Sequence, residues 1–170
     1  NVGKYKVIGN TNQIISDFKN KKFEKLLIAV GYTRFSYRKN IYEKFKDNIP
    51  FALYIHESCY IAPDVKIGRG CVIFPGCVID KNVVLEDNIF IHIGCRISHD
   101  TILEKHSYFA PNVSIAGHVR IGEMCNIGIG TIVSDRITIC NNVQTGAGAV
   151  VVKNISESGV YIGIPAQKIK

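Results

Sequence analysis

His99 is followed directly by Asp100 within the stretch "RISHDTILEKH", Arg96 to His106. An imidazole beside a carboxylate suits general-base chemistry: the ring accepts a proton near neutral pH, and the carboxylate orients it or raises its basicity. Other reactive side chains lie near in sequence. His92, His106 and His118 together with His99 open a metal-binding reading, and Tyr108 carries a hydroxyl that can donate a hydrogen bond. The six cysteines contain no CxxC pair, which argues against a zinc ribbon. No motif supports a Ser or Cys triad, and the chain has no glycine-rich phosphate loop.

What positions these residues is a repeat. From Ile55 an aliphatic side chain returns every six residues up to Thr145, and only Phe109 and Thr145 in that series are not Ile, Leu or Val. Four places after each one a smaller side chain recurs, as at Cys59, Val65, Cys71, Cys77 and Val83, with Ile89 and Ile137 the larger exceptions. A period of six with two inward positions fits neither an α-helix nor simple alternation. It predicts short parallel strands joined by sharp corners, three hexads making one 18-residue coil, with coils stacked at roughly 4.8 Å. Gly, Asn and Asp in "IGRG", "DKN", "EDN", "IGIG" and "CNN" suit corners that need positive φ. Cys59, Cys71, Cys77, Cys95 and Cys125 fall at the small inward position and read as free, buried thiols.

Stacking turns sequence spacing into columns. Pro63, Lys81, His99, Gly117 and Asp135 form one, and Asp64, Asp100 and His118 lie in the next. His99 therefore sits at a corner, and the residue one coil on has no side chain to obstruct it. A corner is also where solvent-facing polar residues belong, so the register leaves both readings open. His106 falls three places into its own hexad with no evident partner.

Residues 1–54 read differently. "KYKVIG" is a short strand and "TNQIISDFKN" a helix capped by Thr11 or Asn12. "KLLIAVG" is a buried strand. "SYRKNIYEKFKDN" is a helix capped by Ser36 with Tyr37, Ile41 and Phe45 on one face, and "PFALYI" leads into the repeat. This predicts a partial α/β unit over 1–54 and a β-helix over 55–170, whose last residues, "SGVYIGIPAQKIK", cap the final coil. The net charge of +7 suits an anionic partner such as a nucleotide or coenzyme A. No interleaved basic and aromatic platform suggests RNA. No apolar run reaches membrane-spanning length and no signal peptide is evident, so a soluble cytoplasmic protein is expected.

The hexads, the stretch "SHDTILEKHSYFAPNVSIAGHVRIGEMCNIGIG" and the ending "GVYIGIPAQKIK" together resemble the bacterial sugar acetyltransferases of the left-handed β-helix, or hexapeptide-repeat, superfamily. The resemblance covers nearly the whole chain and is nearest to the branch that acetylates UDP-linked 4-amino sugars or sialic acid, with relatives acting on dTDP- or GDP-linked amino sugars. It implies a mainly β fold: a left-handed parallel β-helix preceded by a small Rossmann-like α/β unit. It further implies a homotrimer with acetyl-CoA lying between neighbouring β-helices, and no metal. On that pattern His99 and Asp100 match the general-base pair, and the Gly117 N–H holds the acetyl oxygen. Ile129 and Ala147 match positions that contact the coenzyme. Tyr108 stands where the family has a second histidine, and His92 where it has an asparagine, both near the acetyl group. The glycine-rich turn that holds the sugar nucleotide in that family is missing here, which implies a chain that starts late. The implied reaction is N-acetylation of a nucleotide-linked amino sugar for surface glycans, without a covalent intermediate. O-acetylation of sialic acid or a related sugar is the alternative. A carbonic anhydrase-like hydratase is less favoured, because the histidines lack the spacing of that zinc-dependent branch.

Overall fold

The computed structural model describes residue 4 and residues 6–170. From Tyr54 onward, each hexad is a two-residue strand followed by a corner, and the strands pair in parallel with those eighteen residues away. Tyr54 lies beside Val72, Val72 beside Phe90, Phe90 beside Tyr108 and Tyr108 beside Asn126. Three parallel faces result, forming a solenoid of about 6 turns. The first face holds Tyr54–Ile55, Phe90–Ile91 and Tyr108–Phe109, the second Arg96–Ile97, and the third Ile102–Leu103. Gly159–Ile162 and Gln167–Lys168 extend the first face at its C-terminal end, where the last pair runs antiparallel and closes the stack.

The corner has a single backbone solution. Every sixth residue from Gly70 to Gly148 adopts the left-handed conformation, with φ between 56° and 72°. All five quoted turn strings place their Gly or Asn there. The same conformation falls on Asp100, a type that tolerates it, and on His106, His118, Met124 and Arg136, side chains that disfavour it by roughly 1–2 kcal/mol each. The N–H of the left-handed residue donates to the preceding coil: Asp100 N to Lys81 O at 3.1 Å, His118 N to His99 O at 3.0 Å, Arg136 N to Gly117 O at 3.0 Å. That interstrand bond holds the geometry even where the residue type resists it.

The aliphatic series fills the interior from Ile73 onward. Ile55 is 38% exposed, because the first coil has a neighbour on one side only. The small inward position does more than save space. Cys59, Cys71, Cys77, Cys95 and Cys125 donate their S–H groups to the carbonyls of Phe74, Glu86, His92, Ala110 and Cys140, each fifteen residues on, at 3.0–3.2 Å. The hydroxyls of Thr101 and Ser107 do the same to Ala116 and Gly122. All six cysteines are free, and burial pushes the Cys71 and Cys125 thiols up to about 12.

The N-terminal segment departs from expectation in detail. Residue 5 of the first expected strand lies outside the described residues, and 6–10 are not strand. The helix α1 spans Ile14–Lys19 with Gln13 at its N-cap; Thr11 and Asn12 sit in the preceding turn, where the Asn12 N–H is already taken by the Asn10 side chain. The strand expected over 25–31 reduces to one parallel bridge between Leu26 and Phe51. The helix α2 spans Phe35–Phe45, entered from a short 3₁₀ turn, so Ser36 lies inside it rather than capping it.

Its buried face is Arg38, Tyr42 and Phe45, while Tyr37 is exposed, because this helix docks on the solenoid through polar groups. The Arg38 guanidinium donates to the carbonyls of Asn88, His106 and Ser107 at 2.7–3.1 Å. The Tyr42 hydroxyl donates to Asp87 at 2.5 Å. His106, unpartnered in the sequence reading, is buried between Asn88 on Nδ1 (2.9 Å) and Glu43 on Nε2 (3.1 Å), against the Tyr42 ring.

Two predictions follow from this packing. Arg136 is exposed and its contact with Asp135 is a surface pair of little worth. Arg136→Asn is therefore expected to stabilise the fold by roughly 1 kcal/mol in denaturant titration, and a loss of stability would contradict the left-handed assignment. Burial, with Lys39 and Arg38 adding and Glu43 opposing, holds His106 below its ordinary value of 6.5. In that window the unfolded chain binds more protons than the folded one, so stability falls as the pH drops through 6.5. The melting temperature should decline on acidification, and His106→Asn should flatten the decline.

Candidate active site

His99 and Asp100 are the two residues of the corner between the second and third faces, following Arg96–Ile97. The left-handed backbone at Asp100 turns its side chain back to its neighbour, and His99 Nδ1 lies 2.8 Å from Asp100 Oδ2. A carboxylate only accepts, so Nδ1 carries a proton, and in the neutral ring Nε2 is then the nitrogen with the free lone pair. Asn82, one coil earlier in the same left-handed column, donates its side-chain amide to Asp100 Oδ1 at 3.1 Å. The hydrogen bonds from His99 and Asn82 hold the Asp100 carboxyl below the usual carboxylate range.

The imidazole lies flat over Gly117. A Cβ there would stand 2.7 Å from His99 Cε1 and 2.9 Å from Nε2, so glycine is required by the ring's position, not by backbone conformation. Gly117 O accepts from Arg136 N, but among the described residues nothing takes up the Gly117 N–H. At two other corners the residue eighteen places on accepts that bond: Asp87 from Arg69 N and Asn141 from Glu123 N. The corresponding Asp135 is 71% exposed and turned toward Arg136 instead. The corner thus sets a proton-accepting nitrogen beside an open backbone donor. That pairing can deprotonate a nucleophile and hold an oxyanion.

His118 completes the cluster. Its Nε2 lies 3.9 Å from Asp100 Oδ2 and its ring meets that of His99 edge-on at 5.2 Å. Of the four histidines that open a metal reading, only His99 and His118 converge. His92 is instead stacked on Phe74 at 4.9 Å, its Nδ1 accepting the Ile93 N–H, and His106 belongs to the helix dock. The column that holds Asp64, Asp100 and His118 already set His118 beside the pair; Asn82, eighteen residues before Asp100 in that same column, is the neighbour the sequence reading omits. His56 and Glu57 repeat the His-carboxylate pattern, but His56 directly follows the strand Tyr54–Ile55 and bonds Ser58.

Tyr108, Ile129 and Ala147 come together elsewhere. They line a groove of about 300 Å³ with Asn126, Gln144 and Thr145. This groove follows the corner between the first and second faces. Tyr108 is buried and stacked on Phe90 at 5.4 Å. Within one chain, His99 and Gly117 are at one corner and the Ile129–Ala147 column is at the next.

No family model matches the chain. Among solved structures it is similar to the acetyltransferase domain of PglB from Neisseria gonorrhoeae in complex with acetyl coenzyme A, at 28% identity and a TM-score of 0.93, covering 99% of this chain and 81% of that one. It is also similar to PerB from Caulobacter crescentus in complex with CoA and GDP-perosamine, at 27% identity and a TM-score of 0.91, covering 96% and 78%. Among curated proteins, UDP-3-O-acylglucosamine N-acyltransferase of Delftia acidovorans is 35% identical over 104 residues, which are 61% of this chain and 30% of that protein. All are left-handed β-helix acyltransferases. The chain spans less than a third of the curated relatives' length. A TM-score above 0.9 over almost the whole chain requires the same hand, so the left-handed coil expected by resemblance is present. Among the described residues no helix is long and apolar enough to cross a membrane.

Gly117 is not in the left-handed region, so Gly117→Ala is expected to fold while displacing the His99 ring. A crystal structure of the variant should show the ring shifted and the 2.8 Å bond to Asp100 lengthened. An unmoved ring would contradict the steric account.

Proposed function

We propose that the chain is an acetyl-CoA-dependent N-acetyltransferase acting on a nucleotide-linked amino sugar, with His99 as general base. The observation that carries this reading is the His99 imidazole lying against Gly117, whose N–H is open. The acceptor amine attacks the thioester carbonyl as His99 Nε2 takes a proton from it. Asp100 stabilises the imidazolium that forms, and the Gly117 N–H bonds the tetrahedral oxyanion. Collapse expels the coenzyme A thiolate, which takes the proton from His99, leaving an amide and a free thiol with no acyl-enzyme.

The coenzyme in this reading runs along the groove of Tyr108, Ile129 and Ala147, with His92 close by on the same face. Because that groove and His99 occupy different corners, a complete site needs the groove of one chain beside the His99 corner of another. A homotrimer with its sites between neighbours meets that requirement. The exposed Tyr60, Val78 and Ile132 along the intervening second face support it, since such apolar side chains are natural contact surface. Residues 1–54 are read as the partial nucleotide-sugar unit, docked through Arg38 and Tyr42. The bound CoA and GDP-perosamine of PerB support a nucleotide amino sugar as acceptor.

The test is coenzyme A release from acetyl-CoA across UDP-, dTDP- and GDP-linked 4-amino sugars and sialic acid. Turnover with an amino sugar is expected, whereas turnover with sialic acid alone would make the enzyme an O-acetyltransferase. His99→Ala should lower turnover by roughly 10²-fold or more. Near-normal turnover would rule out the base.

A further inference from the structure

His99, Asp100 and His118 are the one group of three or more metal-ligating side chains among the described residues whose donor atoms all lie within 4.8 Å of one another. We propose that this cluster binds a divalent transition-metal ion of zinc-like character, and that the ion inhibits the enzyme rather than serving it. The inhibitory half rests on reading His99 as the base; the binding half does not.

The donor set is two imidazoles and one carboxylate, the mixture that zinc accepts, with a fourth position left for water. Around a tetrahedral zinc at its usual bond lengths, donors stand about 3.3 Å apart. The two recorded separations, 2.8 Å for His99 Nδ1 to Asp100 Oδ2 and 3.9 Å for His118 Nε2 to the same oxygen, straddle that value. All three side chains are between 35% and 43% exposed, so small rotations close the set and water reaches the open position.

The backbone holds the arrangement. Asp100 and His118 both occupy left-handed corner positions one coil apart, with φ of 58° and 56°, so their side chains leave the corner in one column. The main-chain bond from His118 N to His99 O ties the second imidazole to the first. Asn82 engages Asp100 Oδ1 and leaves Oδ2 facing both rings. This is the outer-shell support that ligating carboxylates use. An ion here takes His99 Nδ1 and Asp100 Oδ2 from each other, and the proton displaced from Nδ1 passes to solvent. The ion thereby replaces the hydrogen bond that orients the base and places a positive charge beside the nitrogen that must accept a proton.

The experiment uses the full chain, reduced and freed of metal by chelation. Cobalt(II) is titrated while its visible absorption is followed, and zinc binding is measured by calorimetry. One ion per chain is expected, without the near-ultraviolet band of thiolate ligation. His118→Asn and Asp100→Asn keep residues suited to the left-handed corner and should each weaken binding at least roughly tenfold; Asn82→Gly should do so through the outer shell alone. Acetyl transfer, expressed as the ratio with and without zinc, should fall for the parent protein and recover with chelator. His118→Asn should need at least roughly tenfold more zinc for the same fall. Absence of binding, a thiolate band, or affinity unchanged in all three variants would overturn the site. Binding that leaves transfer unslowed would overturn the inhibition. Failure of every acceptor would count against the proposed reaction, while the cobalt spectra would still decide the metal site.

Discussion

One backbone requirement governs the molecule: each hexad must turn a corner through a single left-handed residue whose N–H bonds to the coil before it. The conformation recurs at every sixth residue from Gly70 to Gly148, and from Asn88 onward each of these N–H groups donates to a main-chain carbonyl of the preceding coil, so the coils stay in register and each side chain sits over those eighteen residues away. The interior follows from that alignment. Aliphatic residues meet their own kind in ladders, and the small inward residues find a carbonyl fifteen places on, which gives thiols and hydroxyls a partner inside an apolar core. Buried polar groups without such partners would be costly.

The same requirement makes the corners the chemical part of the fold. A corner offers carbonyls and N–H groups at fixed positions and leaves side chains half in water. At Arg69 and Glu123 the first N–H of the corner is absorbed by Asp87 and Asn141; at Gly117 it stays open beside His99. The difference between a scaffolding corner and a reactive one is therefore small in sequence, a matter of a glycine and of where Asp135 points.

Much of this was legible beforehand. The period gave the coil, the inward ladders and the facing of His99 on Gly117, because parallel stacking converts spacing directly into contact. The quoted Gly and Asn turns were also legible, since those residues tolerate positive φ. What the period could not reveal was that His106, His118, Met124 and Arg136 share that conformation, because their types argue against it and only the interstrand bond enforces it. The N-terminal segment was read less well. Its helix docks by burying Arg38 and Tyr42 against carbonyls and a carboxylate; of the apolar stripe Tyr37, Ile41 and Phe45, Phe45 is buried and Ile41 packs beside it, but Tyr37 faces solvent.

The sequence alone thus determined the repeat, the core and the corner that carries His99 and Asp100, since a six-residue period admits few ways of burying its aliphatic side chains. Tertiary structure decided which polar groups meet. It joined Asn82 and His118 to Asp100, gave His106 its Glu43 partner across 63 residues of chain, and put the Tyr108 groove on a different corner from His99. Those contacts depend on side-chain direction and on docking between segments far apart in sequence, which a local pattern does not encode.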